Sequence, residues 1–343
     1  MIPILVTGGA GYIGAHTCKA LASAGFLPIT YDNFSTGHRY AVQWGPCVEG
    51  DLRDSKLLEA TFAKYKPKGV LHFAASALVI ESMQNPGKYY DNNVGGSISL
   101  LEAMRKHEVS YLVFSSTCAT YGNPQIFPIT EEHPQLPINP YGRSKLMVEH
   151  IIEDFGKTYG LCSMNLRYFN VAGADFSGSI GENHTPETHI IPLIMQVAQK
   201  MRKEITIYGK QFPTPDGTAI RDYIHVVDLA RAHVQALQWL FAHDKKISIN
   251  LGTGKGFSIL EIVKAVEEFT KEKIPIRFES KREGEPSHLI ADNAKARNIL
   301  GWEPEFSSLP MLIESAWKWH TRITNPAEIG LNTPISQGLK TPN

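Results

Sequence analysis

A turn with three evenly spaced glycines constrains this chain more than any other feature. The segment Thr7-Gly8-Gly9-Ala10-Gly11-Tyr12-Ile13-Gly14 follows a short apolar run, Pro3 to Thr7, that reads as a buried strand. It leads into a helical pattern from about Tyr12 to Ala24, ended by Gly25. Glycines at 8, 11 and 14 give the spacing GxxGxxG, a variant of the dinucleotide-binding fingerprint. There the first glycine permits a tight turn, the second lets backbone approach a pyrophosphate, and the third lets the helix pack on the strand. The helix offers free N–H groups and the positive end of its dipole to phosphate.

Further strands are expected at Leu27 to Tyr31, Cys47 to Gly50, Gly69 to Ala74 and Tyr111 to Ser115, with a helical stretch around Gly95 to Lys106. Strands alternating with helices, without tight hairpin turns, predict a parallel sheet with helices on both faces. Right-handed crossovers make such a sheet doubly wound. The fold class is therefore α/β: a doubly wound parallel sheet of the Rossmann type with a smaller C-terminal α/β substrate-binding domain. The texture changes after about residue 172. Gly173 to Thr188 and Gly209 to Thr218 read as loops. Ser258 to Thr270 reads as an amphipathic helix, opened by a Ser258/Glu261 capping box. The expected division is a dinucleotide-binding part over 1–172, a substrate-binding part over 173–324 with some chain crossing back to the sheet, and a tail over 325–343. The Pro/Gly/Asn-rich tail is expected to be disordered.

Composition excludes several classes. Lys+Arg and Asp+Glu both total 34, so the charge balance carries no nucleic-acid footprint. With 43% hydrophobic and 20% charged residues the chain is ordinary globular material, neither disordered nor collagenous. Cys18, Cys47, Cys118 and Cys162 are scattered and form no CxxC, which argues against a disulfide scaffold and structural zinc; no metal is expected. The N-terminus lacks the pattern of a signal peptide, and no 18-residue apolar window offers a membrane span. A cytoplasmic, reducing environment is the expectation.

Asp32 ends the second strand, in ITYDN. A carboxylate there accepts hydrogen bonds from ribose hydroxyls and repels a 2′-phosphate, and no arginine follows immediately, so NAD is expected over NADP. The alternative is a turn or cap aspartate. Asp51, in EGDLRD, ends the third strand, where it could meet the adenine edge. The catalytic candidates lie in Ser115-Ser116-Thr117 and Tyr141-Gly142-Arg143-Ser144-Lys145. Tyr141 and Lys145 are one helical turn apart and share a face. An ammonium beside a phenol favours the phenolate and lowers its pKa, as a positive nicotinamide would, so Tyr141 can take a proton from a sugar hydroxyl near neutral pH. Thr117, expected just after the fifth strand at the carboxyl edge of the sheet, can bond the same oxygen. The alternative is a surface Tyr/Lys pair.

Taken together these segments resemble the extended short-chain dehydrogenase/reductase superfamily and, within it, the UDP-glucose 4-epimerases. TGGAGYIG, YDN, EGD, HFAA, YYDNNV, FSST, YGRSK, LRYFNVAGA, RDYIHV and NLGTG carry the resemblance over roughly residues 2 to 322. It implies bound NAD and a reaction in which Tyr141 deprotonates the sugar 4-hydroxyl while hydride leaves C4. The 4-keto sugar then turns over and hydride returns to its other face. The resemblance places Tyr12, Ile13, Asn33, Asp51, Leu52, Phe73, Ala74, Ala75, Asn92 and Phe169 on the cofactor, with Lys145 on its nicotinamide ribose. It places Asn170, His189, Ile190 and Tyr208 on the UDP-sugar, Arg221 and Arg282 on the diphosphate, and Glu285 on the uridine ribose. Planar guanidinium forks suit phosphate oxygens. Ala77 stands where some relatives carry a sugar-contacting lysine, and His189 where some carry asparagine.

The resemblance also puts Leu289 beside the sugar. A bulky aromatic there restricts the pocket to glucose and galactose, and a very small residue admits a 2-acetamido group. The intermediate leucine implies a preference for UDP-glucose and UDP-galactose with weak activity on the N-acetyl forms; the alternative is a buried core leucine. The family commonly forms homodimers through a helix pair, for which Ser97 to Lys106 and Leu146 to Tyr159 are candidates. Three rival functions differ in residues or substrate. A 4,6-dehydratase needs an acidic pair where Cys118 and Ala119 follow Thr117. A non-catalytic NAD sensor has no need of Tyr141 and Lys145. A 4-epimerase of UDP-N-acetylhexosamines or UDP-pentoses shares the machinery and stays open.

Overall fold

The computed structural model describes residues 1–282 and 285–324; the expected tail over 325–343 lies outside them. The first half runs β1 (Ile2–Thr7), α1 (Tyr12–Ser23), β2 (Phe26–Asp32), β3 (Cys47–Glu49), α2 (Ser55–Tyr65), β4 (Gly69–His72), α3 (Val79–Gln84), α4 (Pro86–Tyr89), α5 (Gly96–Lys106), β5 (Tyr111–Thr117), α6 (Pro140–Tyr159), β6 (Cys162–Tyr168) and β7 (Asn170–Ala172). The second half runs α7 (Ile190–Ala198), β8 (Ile205–Tyr208), β9 (Ile220–Arg221), β10 (Tyr223–His225), α8 (Val226–His243), β11 (Lys246–Leu251), β12 (Phe257–Ser258), α9 (Ile259–Thr270), β13 (Ile276–Glu279), β14 (His288–Leu289), α10 (Ala294–Leu300) and α11 (Leu309–Ile323).

Seven strands form one parallel sheet in the order β11-β6-β5-β4-β1-β2-β3. This is the expected doubly wound sheet. Successive strand residues point to opposite faces, so each strand supplies two cores. Leu5, Ile29, Val70, Leu112 and Phe114 pack under α2, α5 and α6 with Leu58, Phe62, Leu100, Met104, Val148 and Ile152. Ile4, Val6, Leu71, Val113 and Met164 pack on the other face with Leu21 of α1 and Leu229, Leu237 and Leu240 of α8. Each such side chain, fully buried, contributes roughly 1.5–3 kcal/mol. Late parts of the chain thus complete the early sheet: α8 covers it and β11 pairs with β6 in register.

A third core lies between α7, α9 and α11, built on Ile194, Met195, Val263, Val266, Leu312 and Ile313 with Ile205 and Ile207 of β8. Small sheets frame it: β8 with β13, β7 with β10, and β12-β9-β14. The capping box expected at Ser258/Glu261 is formed. Strand ends differ from the sequence expectation. β4 stops at His72, and β5 continues through Thr117, paired residue for residue with Leu166–Tyr168. The hydroxyls of Ser115 to Thr117 conceal that extension from any reading of apolar runs, because the side chains find buried polar partners instead. Among the described residues no helix is long and apolar enough to cross a membrane.

The winding direction reverses between β1 and β4, and the glycine turn lies at that point. Gly8 has φ +71°, a conformation that L side chains rarely adopt. A Cβ on Gly14 would stand 2.1 Å from the Gly8 carbonyl oxygen. Gly14→Ala is therefore expected to push α1 off the turn and lower unfolding stability by about 1–3 kcal/mol, the usual cost of overpacking. Gly87→Ala, with nothing within 4 Å, is the control and is expected to stay within about 0.5 kcal/mol of the parent in urea denaturation.

Candidate active site

The turn after β1 fits a dinucleotide pyrophosphate. Gly11 is the N-cap of α1 and supplies no side-chain cap, and the first turn holds no acidic residue to compete for the helix N-terminus. Tyr12 anchors the turn to the second half of the chain by donating its hydroxyl to the Gly173 carbonyl at 2.6 Å. Phe73 N and Ala74 N both bond the Thr7 carbonyl, which holds the 73–75 segment against the glycine turn. Asp32, at the end of β2, is buried, and burial raises its carboxyl pKa. Its two oxygens accept the Ala10 N–H at 2.9 Å and the Phe34 N–H at 2.8 Å, fixing the carboxylate on the rim of the turn. The cap role and the expected ribose role therefore fall on one residue, since each oxygen keeps a second lone pair.

At the β3 edge the picture is less open. Asp51 accepts from Arg53 Nε at 2.8 Å and from Asn33 Nδ2 at 2.9 Å. The Arg53 guanidinium holds its carboxyl well below the ordinary range. Arg53, which also pairs with Asp91, was not singled out from the sequence. Leu52 is buried beside Gly96.

The carboxyl end of β5 and the first turns of α6 carry the catalytic candidates. Asn139 caps α6 by accepting the Gly142 N–H at 2.8 Å, and Pro140 opens the helix. Tyr141 and Lys145 then sit on consecutive turns facing the sheet. Lys145 is buried, donates to the Ser115 carbonyl at 2.8 Å and lies 4.9 Å from the centre of the Phe114 ring. Burial brings its pKa down to about 7, against the opposing pull of Glu149. The Thr117 hydroxyl, which accepts the Ala119 N–H at 3.1 Å, is near enough to draw on the Tyr141 phenol, and Tyr89 meets the Tyr141 ring edge-on at 6.4 Å. The expected lowering of the phenol is not what this geometry produces. Burial pushes Tyr141 up to about 12, with only the Thr117 hydroxyl drawing it down. The ammonium is spent on the Ser115 carbonyl, and desolvation of the ring outweighs it.

Asn92 lines the same region, in a π turn over Tyr90–Gly95. Such turns recur at functional sites. Its neighbour Asn93, missed in the sequence, is the organiser. Asn93 accepts from Ser76 N at 2.8 Å and donates to Ser144 Oγ at 2.9 Å, and Ser144 donates on to the Tyr141 carbonyl at 2.8 Å. The doubled asparagine in DNNV was the available signal. Ala77 is exposed.

The expected sugar and nucleotide residues approach from the second half. Asn170 begins β7, parallel to Tyr223. Leu289 of β14 pairs with Arg221 of β9 and packs against the cluster of Cys118, Tyr121, Ile129, Phe169 and Ala291, beside the end of β5. Arg221 is buried and donates to Glu285 Oε1 at 3.1 Å. Arg282 lies over the Tyr208 ring at 4.0 Å. His189 is the N-cap of α7, and Ile190 is its first residue. Its Nδ1 lies 2.6 Å from Glu182 Oε1 and 3.4 Å from Glu187 Oε1. Burial would lower its pKa, yet these carboxylates hold it up to about 10. Glu182, His184, Glu187 and His189 bring their ligand atoms within 4.8 Å of one another, a grouping of metal-ligand types that no spacing in the sequence announced. Their mutual pairing, with the Thr188 and His189 N–H groups on Glu187, staples the 182–189 loop.

Residues 4–252 match the NAD dependent epimerase/dehydratase family. The chain is 49% identical over 319 residues to the UDP-glucose 4-epimerase of Rhizobium leguminosarum bv. trifolii, covering 93% of this chain and 97% of that protein. It is 52% identical over 318 residues to the UDP-glucose 4-epimerase of Lacticaseibacillus casei, covering 92% and 96%. The crystal structure of UDP-glucose 4-epimerase from Brucella ovis in complex with NAD superposes with a TM-score of 0.91 at 48% identity, covering 96% of this chain and 99% of that one. With its doubly wound sheet, its glycine turn and its Thr117/Tyr141/Lys145 constellation, the chain belongs to the NAD dependent epimerase/dehydratase family and, within it, to the UDP-glucose 4-epimerases.

Proposed function

We propose that this chain interconverts UDP-glucose and UDP-galactose by inverting C4 of the hexose, with NAD as its resident cofactor. The observation that carries this reading is the meeting of Thr117, Tyr141 and Lys145 at the carboxyl end of β5, next to the strand-order reversal that holds the glycine turn. The N-terminal turn of α1, Asp32 and the 73–75 segment would hold the cofactor. The chemistry that NAD would supply there is reversible hydride exchange with C4 of the sugar.

The protein supplies the proton transfer and the orientation. Tyr141 accepts the proton of the 4-hydroxyl and gives it back after the 4-keto sugar has turned about its diphosphate link. Thr117, whose hydroxyl draws on the Tyr141 phenol, suits the same oxygen. A phenol near 12 works at neutral pH only when positive charge is brought near it, and Lys145 is the protein's contribution. Arg221 and Arg282 suit the diphosphate, and Glu285, already paired with Arg221, suits the uridine ribose. Residues 173–324 are accordingly assigned to the UDP-sugar and residues 1–172 mainly to NAD. A homodimer is the proposed assembly, supported by exposed apolar Val79, Ile80 and Met83 of α3, Ile98 of α5 and Met147 of α6. The expected location is cytoplasmic.

Three measurements test the reading. Tyr141→Phe is expected to keep its fold and NAD content and to lose about 10²–10⁴ in rate, the worth of general acid–base catalysis. A coupled assay for UDP-glucose formed from UDP-galactose reads this, and near-full turnover would remove Tyr141 from the chemistry. Leu289→Ser is expected to raise kcat/KM for UDP-N-acetylgalactosamine relative to UDP-galactose, and Leu289→Tyr to lower it, within the roughly 1–3 kcal/mol that one methylene is worth in a pocket. Equal ratios in all three proteins would make Leu289 a packing residue only. Light scattering at micromolar protein is expected to give twice the chain mass, and a monomer mass refutes the dimer.

A further inference from the structure

Glu149 lies one turn beyond Lys145 on α6 and is almost fully buried, with a side chain 4% exposed. Its carboxylate accepts from Ser116 Oγ, from Gln135 Nε2 at 3.1 Å, and from Arg167 through Nε at 3.0 Å and Nη2 at 2.6 Å. Successive residues of β5 are thereby tied to successive turns of α6, the Ser115 carbonyl to Lys145 and Ser116 to Glu149, while the next β5 residue, Thr117, stands by the Tyr141 phenol. The tie to Lys145 belongs to the reacting constellation, and the tie to Glu149 lies behind it.

The tie to Glu149 also reaches outward. Arg167, on β6, donates to Tyr121 Oη at 3.0 Å and to Gln135 Oε1 at 3.0 Å. Tyr121 donates to Asn250 Oδ1 at 2.7 Å, and Asn250 donates to the Ile129 carbonyl at 2.9 Å. Ile129 bridges to Ala291, two residues beyond Leu289. One buried pair therefore joins the catalytic helix, β5, its neighbour β6 and the wall around Leu289. A buried, fully bonded ion pair is a poor source of net stability, because desolvation cancels much of the attraction. Stability alone is thus a weak reason for placing it here.

We propose that Glu149 is a positioning residue of the epimerase reaction: through Ser116 and Arg167 it holds Thr117, Tyr141 and Lys145 in register and keeps negative charge behind the lysine. Its carboxylate favours the charged form of Lys145. The other groups facing Lys145 are Tyr141 on its own helix, the Ser115 carbonyl and Phe114 ring on β5, and His72 on β4, which burial and the Lys145 charge bring down to about 3. None of these is an anion, so Glu149 is the carboxylate acting on that ammonium. Around Glu149 itself stand Ser116, Arg167, Tyr121 and Gln135.

The proposal rests on the epimerase reading, and the experiment separates the two. In Glu149→Gln, kcat is expected to fall with KM nearly unchanged, and the alkaline limb of kcat to move to lower pH by about 1 unit, the usual effect of losing a nearby opposite charge. Glu149→Asp restores part of that shift. Glu149→Met/Arg167→Met removes the pair without leaving an unpaired buried charge, so it recovers thermal stability while its limb stays displaced toward acid. Ser116→Ala keeps the ion pair and is expected to lose about 10-fold in kcat, the worth of one hydrogen bond to a charged group. A limb at the parental pH in either Glu149→Gln or the double variant overturns the role. Should neither fold, undiminished kcat in Ser116→Ala overturns it. An inactive parent enzyme would instead fail the epimerase reading.

Discussion

A parallel sheet wound in one direction has no place for a ligand; one wound in two directions must part where the winding reverses. In this chain the parting falls between β1 and β4. The crossovers from β1 and β4 leave to opposite faces there, so a crevice opens outside the strand ends. Everything else in the site is arranged on that crevice. Gly8 and Gly14 let α1 approach it, Thr7 carries the 73–75 segment along its side, and β5, the neighbour of β4, brings its carboxyl end and the constellation with it.

The electrostatics of the constellation follow from depth. Lys145 and Tyr141 are both shifted toward their neutral forms, the lysine down to about 7 and the phenol up to about 12. The protein alone therefore stores its proton on the phenol and holds its cation loosely. Such a pair responds strongly to any charge placed beside it, because little water is present to screen it. Glu149, set behind the lysine and neutralised by Arg167, biases that response without occupying the crevice.

Much of the first half was legible from the sequence. Glycine spacing, apolar runs and the Tyr141/Lys145 interval each obey a local rule, and local rules survive folding. What stayed hidden depends on partners distant in the chain. Ser116 lay just past the expected strand end, and its acceptor is a helix residue. Asp51 was expected at the adenine edge, and its oxygens are taken by Arg53 and Asn33. Glu182 and Glu187 fell in an expected loop and His189 among the expected sugar residues, and the three close on one another as a staple. The phenol obeys a related rule: the interval between Tyr141 and Lys145 says they are neighbours but not that, in the protein alone, burial outweighs the ammonium.

The Ile129–Ala291 bridge has a consequence for the order in which this protein acquires its parts. The two residues come from different halves of the sequence, as does Leu289 relative to the β5 end beside which it packs. Contacts of such long separation form after local ones, because the intervening loop must first be closed. During synthesis the glycine turn, Asp32 and the first five strands emerge long before β14 leaves the ribosome. The glycine turn thus comes from early chain and the strand of Leu289 from late chain, with α8 and β11 closing the sheet between them. A molecule clipped between β11 and β14 retains the glycine turn and all seven strands of the sheet while lacking Leu289 beside the end of β5.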